Sequence, residues 1–117
     1  MLDRDVLEDL RELTPDGSLL VQIADTFVST APEHVAELRA AVATADADLV
    51  RQAAHRLRGA AGALGAVKVA RLCTRLEEMS VQGRLDGAPA VASAIETALG
   101  RATADLPDTV GPRPVSR

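Results

Sequence analysis

Residues 47–64, Ala-Asp-Leu-Val-Arg-Gln-Ala-Ala-His-Arg-Leu-Arg-Gly-Ala-Ala-Gly-Ala-Leu, are the stretch on which the fold turns. Val50, Ala53, Leu57, Ala61 and Leu64 recur three or four residues apart, the spacing that lines one face of an α-helix. Asp46 stands where an N-cap is needed, and Asp48 follows in the first turn, where a carboxylate meets the positive end of the helix dipole. Gly65 comes directly after Leu64 and suits the left-handed residue that stops a helix. The spacing therefore predicts a helix capped by Asp46 and running to about Leu64.

The same reading extends in both directions. Residues 3–12 form a short amphipathic helix capped by Asp3, with Val6, Leu7, Leu10 and Leu13 at helical spacing. Thr14-Pro15-Asp16-Gly17 is a turn. Residues 17–45 read as one long helix kinked at Pro32, with Leu20, Ile23, Phe27, Ala31, Leu38 and Val42 on its stripe. A capping box of Thr30 and Glu33 would instead split it into two abutting helices. A fourth helix covers 66–82, with Val69, Leu72, Cys73, Leu76 and Met79 on one face and Gly83 at its end. A fifth covers 88–104, with Pro89 in its first turn and Val91, Ile95, Ala98 and Ala102 inward. The expectation is an all-α protein: an antiparallel up-and-down four-helix bundle plus a short N-terminal helix across one end. One domain over 1–106 precedes a tail, 107–117, whose three prolines and glycine predict disorder.

Composition limits what such a bundle does. Phe27 is the one aromatic residue, so the core must be built from Ala, Val, Leu and Ile. The net charge of −4 argues against nucleic-acid binding, which needs a basic face. No stretch approaches the roughly 20 apolar residues that span a bilayer, and the charged N-terminus lacks a signal-peptide core. A lone cysteine, Cys73, rules out an internal disulfide and fits a cytoplasmic setting; its place on an apolar stripe marks it as a core residue.

One face of the third helix lacks a structural explanation. Opposite the buried stripe, Arg51, His55, Arg58, Gly59 and Gly62 cluster. A glycine inside a helix costs about 0.5–1 kcal/mol relative to alanine. Two of them beside an exposed histidine clear space for something bulky to approach the ring. Charge is sorted in the same place. Leu49 to Leu76 holds Arg51, Arg56, Arg58, Lys68, Arg71 and Arg75 and no carboxylate, whereas the rest of the chain has all 17 acidic residues. Arginines four before and three after His55 suit an arriving phosphoryl group. His34 has acidic neighbours and no glycine clearing, and reads as a surface or boundary residue.

His55-Arg56-Leu57-Arg58-Gly59, the small residues that follow, and Leu64-Gly65-Ala66 resemble the motif of histidine-containing phosphotransfer (HPt) domains. Ala70–Glu77 and Phe27–Pro32 resemble the helices that flank it, and the likeness covers roughly residues 17–100. Arg58 stands where the family pattern has lysine; the charge is kept and the geometry changes. The resemblance implies a phosphorelay carrier. His55 would accept a phosphoryl group from a receiver-domain aspartyl phosphate, with Arg58 stabilising the phosphate, and pass it to another receiver. Arg51, Gly59 and Gly62 would lie in the docking face. Response regulators or hybrid kinases would be the partners, the receiver would supply Mg²⁺, and one histidine per bundle would suffice for a monomer. No cofactor of its own and no ATP site is expected, because the nucleotide-binding glycine motifs are missing. The competing reading is an adaptor that docks a partner without phosphorylation. A metal-binding bundle is weaker, since His55 lacks an inward Glu-x-x-His arrangement.

Overall fold

The computed structural model describes residues 2–106; the tail expected to be disordered lies outside the described residues. Five helices follow one another: α1 Arg4–Leu13, α2 Ser18–Thr44, α3 Ala47–Leu64, α4 Val67–Val81 and α5 Ala88–Asp105. The described residues form no strand beyond an isolated bridge between Leu2 and Ala66. Short connections reverse the chain between α2, α3, α4 and α5. These four pack in a ring, each on its sequence neighbour and α5 back on α2, while α1 lies on α2 and α3.

The helix ends are where the sequence places them. Asp3 accepts the amides of Asp5 and Val6, and Asp46 those of Asp48 and Leu49. The α2 start is fixed by its turn instead. Thr14 Oγ1 accepts from the Leu19 amide, and the Asp16 carboxylate accepts from the Ser18 amide, which holds Asp16 below its ordinary pKa. Pro32 sits inside an uninterrupted α2. Thr30 does not cap a second helix; its hydroxyl donates back to the Thr26 carbonyl at 2.8 Å.

The core is aliphatic. Leu20, Leu57, Leu64, Leu76 and Ile95 are shut off from solvent, with Phe27 among them. Cys73 is fully buried, as expected of a core residue. Burial pushes its thiol up to about 12; the Glu77 charge adds to the rise and Arg58 partly offsets it. Leu13 departs from the apolar stripe assigned to it: it is the last residue of α1 and 65% exposed.

Gly65 ties two parts of the fold together. It adopts φ +76°, and its carbonyl accepts from the Asp3 amide at 2.7 Å. A Cβ there would lie 3.0 Å from the Asp3 Cβ and 3.1 Å from the Val6 Cβ. Gly65→Ala combines left-handed strain with a crowded contact. It is expected to lower the unfolding free energy by about 1–3 kcal/mol in urea titration.

Candidate functional site

His55 projects from α3 with a side chain 63% exposed, opposite Ala53 and Leu57, which with Ala54 anchor the helix in the core. Its Nδ1 lies 3.1 Å from Oε1 of Glu77, which comes from α4. Arg58, one turn further along α3, brings Nη2 to 3.1 Å from the same Nδ1. Arg58 Nε also donates to Glu77 Oε2 at 2.5 Å. Glu77 is thus shared between a histidine and an arginine, and its side chain is only 18% exposed.

One ring nitrogen cannot serve both neighbours. If Nδ1 carries the proton it donates to Glu77, and Nε2 keeps its lone pair toward solvent. If Arg58 donates to Nδ1, the proton sits on Nε2 and the outer nitrogen is no nucleophile. A carboxylate accepting from an imidazole N–H makes a charge-assisted bond. That favours the arrangement with Nδ1–H toward Glu77, which leaves Nε2 free.

The other residues singled out on this face divide into two groups. Gly59 is exposed, Gly62 is exposed, and a Cβ on either would meet nothing within 4 Å. Packing inside the bundle therefore does not require them to be glycine. Arg51 turns away from His55 and pairs with Asp48 at 3.0 Å. Arg56, next to His55 in sequence, reaches across to Glu37 on α2. The α3 arginines of the cationic segment, Arg51, Arg56 and Arg58, are thus each paired to a carboxylate outside it in sequence, Asp48, Glu37 and Glu77. His34 is half-buried on α2 and joins no part of this site. Among the described residues no group of three His, Cys, Asp or Glu side chains is arranged to hold a metal, and no helix is long and apolar enough to cross a membrane.

Glu77 is the residue that sequence reasoning passed over. It belongs to the stretch resembling the family's fourth helix, and a carboxylate beside the apolar stripe of Cys73 and Leu76 is the only local signal. Its role becomes visible once the antiparallel register of α3 and α4 is known.

Comparison with known proteins bears on the family and the fold. The family model described as Hpt domain matches residues 22–105. Among solved structures, histidine-containing phosphotransfer protein B (HptB) from Pseudomonas aeruginosa PAO1 is similar, with a TM-score of 0.81 and 34% identity over 88% of each chain. No match was found among curated protein sequences. An exposed histidine on the third helix of a five-helix chain, a matching family model and a shared fold lead to one conclusion: the chain belongs to the Hpt domain family, the histidine-containing phosphotransfer proteins of phosphorelay signalling.

Proposed function

We propose that His55 is the phosphoacceptor and that the chain relays a phosphoryl group between receiver domains of response regulators or hybrid kinases. The observation that carries this is the pairing of His55 Nδ1 with Glu77, which leaves Nε2 as the outward nitrogen. Nε2 attacks the phosphorus of a receiver aspartyl phosphate. The P–O bond to the aspartyl carboxylate breaks, the carboxylate stays on the receiver, and a phosphoimidazolium forms with its proton on Nδ1. Glu77 then faces that cation. The loose transition state calls for in-line placement and charge neutralisation. Arg58 supplies positive charge by shifting a donor from Glu77 and Nδ1 toward the incoming phosphate, and the receiver brings its Mg²⁺. Gly59 and Gly62 let the receiver surface come close to the ring. The second transfer is the reverse of the first onto another receiver.

The direct test mixes the chain with a phosphorylated receiver and looks for acid-labile, base-stable phosphate. Label is expected on the native chain and none on His55→Gln, and none on either from ATP alone. Partner binding and signalling that survive unchanged in His55→Gln would favour the adaptor reading instead. Glu77→Gln is expected to slow transfer on the order of 10-fold and to move the proton from Nδ1 toward Nε2, read from the ¹⁵N shifts of the His55 ring. Gly59→Ala with Gly62→Ala should raise stability by about 1–2 kcal/mol in total, since neither Cβ meets a neighbour, while slowing transfer from a receiver. A faster or unchanged transfer rate would remove the access argument.

A further inference from the structure

Outside the His55 face, exposed charges of one sign line up on each of two helices, although α1 also exposes Arg4 and Arg11 beside its stripe and α4 exposes Glu78. On α1, Asp5, Glu8, Asp9 and Glu12 recur at three- and four-residue spacing and are all exposed. At 100° per residue they fall within about 100° of arc, on the side opposite Leu7. On α4, Lys68, Arg71 and Arg75 are exposed and fall within about 60° of arc. Arg39, Arg51, Arg56 and Arg58 each have a carboxylate partner. Lys68, Arg71 and Arg75 pair with no carboxylate among the described residues, and neither does Asp5, Asp9 or Glu12 with a cation; Glu8 alone on α1 is paired, to Arg11 at 3.2 Å. Glu78, beyond Arg75, pairs with none of the α4 cations.

The two stripes cannot neutralise each other within one chain, because α1 packs on α2 and α3 and not on α4. Each runs over eight residues, or about 10.5 Å of helix from first to last, so they match in length and are opposite in sign. We propose that two copies of the chain associate through these stripes, α1 of each lying against α4 of the other, in a weak and salt-sensitive pair. A contact in which each copy supplies the same two surfaces closes on itself as a dimer. The occupant is a second copy because this chain itself presents the complementary stripe. Nucleic acid fits less well: three cations on a chain of net charge −4 are outweighed by its carboxylates. Overall repulsion between two such copies is largely screened at about 0.1 M salt, where the Debye length is about 10 Å. Directly facing charges remain in contact at that salt. Around α4, Lys68 and Arg75 lie roughly 160–180° from Glu77 and Arg71 about 120°, so the contact on α4 leaves its Glu77 side open. The inference does not depend on phosphotransfer.

Sedimentation velocity on the purified chain tests it. At about 0.1 M salt the average mass is expected to rise toward the dimer as concentration climbs to about 1 mM, and to return to monomer at about 0.5 M salt. Lys68→Glu with Arg71→Glu and Arg75→Glu should be monomeric, and so should Glu8→Lys with Asp9→Lys and Glu12→Lys. An equimolar mixture of these two variants restores complementarity at both contacts and should associate again. Glutamine in place of the α4 cations gives the same loss without charge reversal, should reversal disturb folding. A monomer at every concentration, or association that both reversals leave intact, overturns the proposal. Association that strengthens with salt also overturns it, and would point instead to the apolar groove of Val28, Pro32, Val35 and Leu99 between α2 and α5.

Discussion

α4 is turned back on α3 by a left-handed residue, Gly65, and the geometry of the site follows from the register that this turn sets. The Ala66 amide donates to the Ala61 carbonyl across it at 2.8 Å, closing the end of α3 as α4 begins. The reversal brings Glu77, twenty-two residues beyond His55, level with the ring. The same glycine carbonyl accepts from Asp3, so α1 is strapped to the turn that aligns the site. A side chain at this position would disturb the strap and the turn together, since its Cβ would meet Asp3 and Val6. In a bundle with a single aromatic residue and a core of small aliphatics, such local fixings matter more than they would around a bulky core.

Charge at the site is arranged as exchangeable pairs. Arg58 is held by Glu77 and Arg56 by Glu37, so the arginines around His55 are not bare cations. Exposed pairs of this kind contribute little to stability. Their partners are single carboxylates, and an arriving phosphoryl group carries more negative charge and more acceptor oxygens than a carboxylate does. Arginine's planar fork lets Arg58 contact Glu77 through Nε while Nη2 stands beside the imidazole, a geometry lysine does not have. The departure from the family's lysine is therefore matched by a specific contact in this chain.

The glycines on the His55 face have no packing reason to be glycine. Gly59 and Gly62 have open space where a Cβ would go, so the helix gives up favourable alanine positions without any gain in internal packing. The histidine is presented on a rigid helix, anchored beneath by Ala54 and Leu57, while the surface beside it stays flat. The proposed relay between receivers calls for that openness, because phosphoryl transfer depends on approach along the line of the transferring bond.

The amino-acid sequence by itself determined the five helices, their caps at Asp3 and Asp46, the stop at Gly65 and the outward place of His55 with its two glycines. These are local: they depend on periodicity, on capping side chains and on the conformational freedom of glycine, and each is read within a turn or two of helix. What only the tertiary structure decided is who meets whom across helices. Arg51 and Arg58 suited a phosphoryl group by spacing alone, and the fold pairs Arg51 with Asp48 and Arg58 with Glu77. Thr30 could have capped a second helix, and continuous packing of α2 turned its hydroxyl back to Thr26. The role of Glu77 depends on the register between α3 and α4, a long-range pairing that helical periodicity does not encode, because every position on a helix face is equivalent until a neighbour is laid against it.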